Sequence, residues 1–196
     1  AGQSYLELSK TEKDMIDLVC NNFENVVVIY NSANAFELGW VDEYENIKGV
    51  LNIAGPGQTG FEALGKVLSG EVNPSGHLAD TYVYDLTAAY NYNNIGDFKY
   101  DNIDEFKDVN GPEGTDYNTV SFVNYTEGIY IGYKFYETAA AEGLIKYEDV
   151  VQYPFGYGLS YTSFEQKITN LKTDNSGNVT VEVTVTNTGD TEGKDA

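Results

Sequence analysis

The sequence predicts an α/β architecture with a mostly parallel sheet, followed by the opening strands of an all-β sandwich. Three observations carry that expectation. Over the first third of the chain, helix-period and strand-type segments alternate, which implies strands joined by crossover helices. Periodicity then disappears between residues 84 and 124. Beyond Thr162 the pattern becomes a strict alternation, Val179, Val181, Val183 and Val185, the mark of a strand with one buried face.

The elements follow in order. Ser9 and Glu12 spell a capping box, and Met15, Leu18 and Val19 recur at i, i+3 and i+4, so a helix opens the chain and stops at Asn21-Asn22. Val26–Tyr30 is an unbroken apolar run and residues 49–53 are a second, and both read as strands buried on both faces. A short helix is expected at residues 40–44. After Gly55-Pro56-Gly57 a helix carries Phe61, Leu64, Val67 and Leu68 on one face, and Gly70 stops it. Asn73-Pro74-Ser75-Gly76 is a turn, and residues 78–83 read as a short strand. Tyr, Asn, Asp and Gly dominate residues 84–124, and so long a loop in a compact domain is functional or family-specific. Residues 128–136 read as a strand, residues 139–144 as a helical turn, and residues 154–161 as a glycine-punctuated aromatic run. Residues 164–171 and Val179–Asn187 read as two strands joined by the turn Asp174-Asn175-Ser176-Gly177, the first hairpin of a β-sandwich. Two strands cannot bury a sandwich core alone. The expected division is therefore an α/β domain over residues 1–161 and a partial β-sandwich over residues 162–196, with the chain stopping inside that second domain.

Composition narrows the function. The 196 residues hold 31 acidic side chains against 11 basic ones, all lysine, for a net charge of -20. That charge repels phosphate backbones and anionic membranes, so neither nucleic acid nor membrane is an expected partner. It repels acidic sugars too, and a neutral substrate fits best. The same charge is also what an acidic, solvated surface looks like. No apolar run approaches the roughly 20 residues of a membrane helix, and no signal pattern opens the chain. A secreted or cell-surface location is expected over a cytoplasmic one, with any signal outside this chain. Cys20 is the single cysteine and falls on a predicted helix, where a small apolar role is expected. His77, the single histidine, lies in a turn, and no Gly-x-Ser-x-Gly elbow accompanies it. A Ser-His-Asp or Cys-His triad would need this turn residue, and the counts exclude a cysteine zinc site and a histidine-rich metal site. The 17 Tyr, 9 Phe and one Trp suit sugar stacking as well as ordinary packing.

One motif points elsewhere. Gly55-Pro56-Gly57-Gln58-Thr59-Gly60 matches Gly-x-Gly-x-x-Gly between a strand and a helix, and Asp80 follows at about the distance of a ribose-binding acid. Pro56 removes an N–H from the loop that should hold phosphate, and the net charge opposes a pyrophosphate. A tight strand-to-helix turn is the competing reading.

Four segments in order resemble family 3 glycoside hydrolases, the β-glucosidase and β-xylosidase group. Gly55-Pro56-Gly57-Gln58-Thr59-Gly60 resembles that family's Tyr-Pro-Gly-Gln-Glu-Gly. The stretch Leu68-Ser69-Gly70-Glu71-Val72-Asn73-Pro74-Ser75-Gly76-His77-Leu78 resembles Leu-x-Gly-x-x-Asn-Pro-Ser-Gly-Lys/Arg-Leu-Pro. Residues 125–136, with Glu127-Gly128-Ile129 and Gly132-Tyr133, resemble Tyr-x-Glu-Gly-Ile-x-Val-Gly-Tyr-Arg-Tyr-Tyr. Pro154-Phe155-Gly156-Tyr157-Gly158-Leu159-Ser160-Tyr161-Thr162 resembles Pro-Phe-Gly-Tyr-Gly-Leu-Ser-Tyr-Thr nearly without change. Residues 181–189 look like the opening of the family's fibronectin-III-like domain. The departures are His77 for Lys/Arg, Ala79 for Pro and Lys134 for Arg. Glu37-Leu38-Gly39-Trp40 and the long Tyr- and Asn-rich insertion look similar to a subgroup from some gut clostridia, in which this domain precedes the barrel.

The resemblance implies a three-layer α/β sandwich of six strands, then a fibronectin-III-like sandwich. It implies an exo-acting, retaining β-glycosidase without cofactor or metal, whose two carboxyl groups stand about 5–5.5 Å apart. The family's nucleophile is an Asp on a (β/α)8 barrel domain, the expected partner of this chain. Its acid/base Glu lies shortly before the segment that Tyr5-Leu6-Glu7-Leu8-Ser9 resembles. No catalytic residue is therefore carried onto this chain, and Glu127 is the fallback acid/base. Three readings stand at this point: part of a β-glucosidase-like enzyme acting on a neutral β-linked glucoside or oligosaccharide, a non-catalytic carbohydrate-binding or scaffolding domain, and a nucleotide-binding domain. Titration with NAD and with glucose separates the third from the others.

Overall fold

A computed structural model describes residues 6–94, 98–99, 101–102, 105, 121–123 and 125–196. Helix α1, Lys10–Cys20, begins with the expected capping box: the Ser9 hydroxyl accepts from the Glu12 N–H, and the Glu12 carboxylate accepts from the Ser9 N–H at 2.8 Å. The Ser9 hydroxyl also donates to that carboxylate at 2.7 Å, and this bond, with the one from the Ser9 N–H, holds the Glu12 carboxyl below its usual range. The chain then forms β1, Val26–Tyr30, a 3-10 turn at Gly39–Glu43, and β2, Ile47–Asn52. Strands β1 and β2 are parallel, with Tyr30 opposite Asn52 at their carboxyl ends. Asn46 ties α1 to the start of β2, its Nδ2 donating to the carbonyls of Cys20 and Phe23 at 2.7 and 2.6 Å. Helix α2, Gly60–Leu68, follows and ends where Gly70 turns left-handed, φ 77°.

The two-residue strand β3, Tyr82–Val83, pairs antiparallel with β6, Val151–Tyr153. Two further 3-10 turns lie at Leu86–Ala88 and Tyr92–Asn94, and Phe98–Lys99 (β4) pairs with Ser121–Phe122 (β5). Much of the expected long loop of residues 84–124 lies outside the described residues, as does Tyr5 of the resemblance. Helix α3, Tyr133–Ala141, ends in a Schellman arrangement: the Gly143 N–H donates to the Ala140 carbonyl and the Leu144 N–H to the Ala139 carbonyl. A short α4, Tyr147–Val150, leads into β6. The chain closes on a hairpin of β7, Phe164–Thr173, and β8, Val179–Asn187.

Two small cores meet at β3. Tyr82 joins Tyr30 and Leu38, packed against Phe36, Trp40 and Val50. Its neighbour Val83 joins Tyr136 and Val151, packed against Leu86, Tyr90 and Phe135. A strand sends successive side chains to opposite faces, so two residues suffice to link both clusters.

The chain is an α/β domain with a β-hairpin at its end, but several local expectations need correction. Residues 128–136 are not a strand. Gly128 and Gly132 have φ of 58° and 57°, which no strand accommodates, and α3 begins at Tyr133. Tyr136 and Ala139 are buried at i, i+3, a helical spacing masked by the aromatic, β-type residue composition. The helical turn expected at 139–144 is the end of this same helix. The strand expected at 78–83 shrinks to Tyr82–Val83. Strands β1 and β2 are not covered on both faces: Val27 and Ile29 remain 47% and 43% exposed. The parallel pairing is confined to β1 and β2 among the described residues, and the other three strand pairs are antiparallel.

Candidate functional site

The carboxyl ends of parallel strands are where open α/β sheets place ligands, because the loops there splay apart. Here that edge carries Tyr30 and Asn52. The Asn52 side chain is engaged at both polar atoms: Nδ2 donates to the Tyr82 hydroxyl at 2.8 Å, and Oδ1 accepts from the Ala54 N–H at 2.9 Å. Burial, together with the nearby Tyr30, pushes the Tyr82 hydroxyl up to about 12. Burial raises Tyr30 as well. The Asn52 bond holds Ala54 at φ 46°, the one left-handed non-glycine among the described residues.

The glycine loop follows directly. The Gly60 N–H donates to the Pro56 carbonyl at 3.1 Å, and a Cβ on Gly60 would stand 2.7 Å from the Pro56 Cβ. Ala54 and Gly60 thus spend their N–H groups inside the turn, and Pro56 has none. The loop closes on itself between Pro56 and Gly60, as a tight strand-to-helix turn does. Asp80 is exposed in a bend before β3.

Glu127 lies in the turn that precedes α3, and not at the head of a strand. It is half-buried, and its carboxylate accepts from the Asn94 Nδ2 at 2.5 Å. Its carbonyl accepts from the Tyr130 N–H at 3.0 Å. The residue lines an open hollow of about 390 Å³ with Tyr90, Tyr130, Phe135 and Leu144. Glu127 therefore ties two loop segments together.

Glu37 is the carboxylate that sequence reasoning missed as an ionisable group. It is flanked by Phe36 and the buried Leu38, which was the available signal. Its Oε1 accepts from the Leu86 N–H at 2.6 Å, and its carbonyl accepts from the Trp40 Nε1 at 2.9 Å. Burial raises its pKa; the Leu86 N–H opposes that, while Glu7 and Asp85 add to it.

A larger cleft, about 560 Å³, separates α1 from β1. Met15, Ile16, Val19, Val27 and Ile29 line it, so it is an apolar packing face and offers little to a sugar hydroxyl. Cys20 is a free thiol at its margin, half-buried on the helix as a small apolar residue would be. His77 is exposed in its turn. No group of three or more His, Cys, Asp or Glu is placed to hold a metal ion among the described residues.

The aromatic segments converge. Tyr133, at the start of α3, stacks on Phe155 at 4.8 Å and 24°, and Tyr153 packs on Tyr157 at 5.0 Å. The two motif segments that lie furthest toward the C-terminus are therefore one structural unit.

Residues 3–133 match the glycosyl hydrolase family 3 C-terminal domain. A β-glucosidase of Ruminococcus albus is 34% identical over 98% of this chain, which spans 17% of that enzyme. An exo-α-(1→6)-L-arabinopyranosidase of Bifidobacterium longum is 30% identical over 94% of this chain and 20% of its own length. The solved structure of a β-glucosidase from Paenibacillus barengoltzii superposes with a TM-score of 0.73 at 30% identity, covering 94% of this chain and 17% of that one. The chain thus spans about a fifth of the length of the relatives it matches. The family match runs through the glycine loop, and the dinucleotide reading lapses. By the match over two thirds of its residues and by its whole-length similarity to these enzymes, the chain belongs to glycoside hydrolase family 3.

Proposed function

We propose that the chain is the α/β domain, with the start of a fibronectin-III-like domain, of a retaining, exo-acting β-glycosidase that cleaves neutral β-glucosides. The observation that carries this reading is similarity along nearly the whole chain to β-glucosidases of which it spans 17%. The nucleophile and the acid/base lie outside these residues, the nucleophile on a (β/α)8 barrel of the same enzyme. Two engaged carboxylates support that placement. Glu127 is held by Asn94 and Glu37 by Leu86, whereas retaining hydrolysis needs two carboxyl groups facing one sugar about 5–5.5 Å apart. The arabinopyranosidase relative shows that similarity at this level spans more than one sugar, so the glucoside is the reading favoured by the majority of names.

The domains divide at residues 161/162, where the glycine-aromatic run gives way to β7. The experiment is an aryl β-glucoside assay on the intact enzyme and on residues 1–196 alone. The intact enzyme is expected to release glucose with retained configuration, and the isolated chain to show no turnover that survives repurification. Turnover by the isolated chain would place the machinery here.

A further inference from the structure

The turn at residues 73–78 does more than connect α2 to β3. The Asn73 Oδ1 accepts two bonds, from the Ser160 hydroxyl and from the Tyr161 N–H, both at 2.8 Å. Its Nδ2 donates to the Glu192 carbonyl at 3.1 Å. Ser160 and Tyr161 lie just before β7, and Glu192 lies just after β8. One amide therefore gathers both ends of the hairpin. Only an amide offers an acceptor with two lone pairs and a donor on one planar group, as this arrangement requires.

The surroundings are built to the same purpose. The Tyr161 hydroxyl donates to the Val67 carbonyl in the last turn of α2 at 3.0 Å. The Leu78 N–H donates to the Tyr157 carbonyl, and the Gly156 N–H to the Leu78 carbonyl, both at 2.8 Å. Approach is so close that a Cβ on Gly158 would stand 2.5 Å from the Gly76 carbonyl oxygen and 2.7 Å from the His77 ring. A Cβ on Gly193 would stand 2.7 Å from the Asn73 Nδ2 and 2.9 Å from the Thr162 Cγ2. The base of the hairpin closes on itself. The Thr162 hydroxyl donates to the Asn187 Oδ1 at 2.7 Å, the Asn187 Nδ2 to the Thr191 carbonyl at 2.8 Å, and the Thr188 N–H to the Ser163 carbonyl at 2.8 Å.

We propose that the end of α2 and the turn at 73–78 form the docking surface of the C-terminal β-sandwich, with Asn73 as a clasp that makes hairpin and α/β domain move as one body. The proposal rests on the division at residues 161/162. Without the clasp, the linker and the tail are each free to lift from the turn.

Hydrogen exchange of the intact protein, read by mass spectrometry, tests this with two variants. Asn73→Ala removes the clasp, and Gly193→Ala sets a Cβ against the Asn73 amide and the Thr162 methyl, so that the tail or the Asn73 side chain must move out of the clasp. The reporters are the Leu78, Gly156 and Thr188 amides, none of which is bonded to Asn73. The loss of two or three neutral hydrogen bonds should speed their exchange at least about tenfold in both variants, while amides of β1 and β2 keep their rates. Should Asn73→Ala fail to fold, Gly193→Ala gives the same reading alone. Unchanged reporter rates would overturn the clasp. Equal acceleration throughout, β1 and β2 included, would overturn the division at 161/162 as well.

Discussion

At the scale of single residues, the two engaged carboxylates make different predictions. The folded pKa of Glu37 lies above the ordinary 4.5, chiefly through burial. A raised acid adds stability below its unfolded pKa, and that stability is lost as pH rises through the folded value. Glu37→Gln keeps an acceptor for the Leu86 N–H and removes the half-buried charge. Urea midpoints are expected to coincide for wild type and variant below pH 4.5, and to favour the variant increasingly toward neutrality. A variant less stable at pH 7 would show that the charge itself is favourably bound. For Glu127, the bond from Asn94 implies a structural role. Glu127→Gln in the intact enzyme is expected to keep most of its turnover while losing about 1 kcal/mol of stability. An acid/base would instead fold normally, lose at least about 10²-fold in rate, and be partly rescued by azide or by good leaving groups.

At the scale of elements, the outcome depends on how local each signal is. The capping box at Ser9 and Glu12 was legible because cap and helix lie within one turn, and Ser9→Ala is expected to cost about 1 kcal/mol in thermal or urea unfolding. The strands β1 and β8 were legible because β-branched runs have few alternatives, and β7 because it lies across a turn from β8. Helix α3 was not. Its residues Tyr133-Lys134-Phe135-Tyr136 read as strand by composition, and only the tertiary packing of Tyr136 and Ala139 selects the helix. Strand β6 was hidden because three residues carry no period, and β3 has only two. The clasp was invisible for a similar reason: Asn73 and Ser160 are 87 positions apart, so the motifs were recognisable while their contact was not. The glycines at 156 and 158 now have separate causes: Gly156 has a left-handed φ of 79°, and Gly158 lies against the Gly76 carbonyl. Gly158→Ala is expected to destabilise the protein by about 1–3 kcal/mol, since the obstructing atom is a backbone oxygen that cannot swing away. Calorimetry of the variant checks this, and an unchanged melting temperature would mean the turn relaxes freely.

At the scale of the whole molecule, tyrosines set the alkaline limit. Tyr44 is pushed up to about 12 by its bond to the Asp17 carboxylate, and Tyr82 and Tyr147 reach about 12 chiefly through burial. Their folded values lie above the ordinary 10, so the stability they lend is lost as pH rises from 10 toward 12. Part of the tyrosinate absorbance is expected to appear only well above pH 10, together with loss of far-ultraviolet dichroism; a rise already complete near pH 10 would show that these three hydroxyls are exposed. The apolar faces of α1 and β1, and of the hairpin with Ile168, Leu171, Val181 and Val183, remain uncovered in these residues. Such faces suit the proposed reading of the chain as one part of a larger enzyme, and the chain spans a fifth of its relatives' length. Trapping the intact enzyme with a 2-deoxy-2-fluoro-β-glucoside, then mapping the labelled peptide by mass spectrometry, locates the nucleophile covalently. The label is expected on an Asp outside residues 1–196, and a label on any carboxylate within them, Glu127 or Glu37 included, would contradict the assignment of this chain as the non-nucleophilic domain.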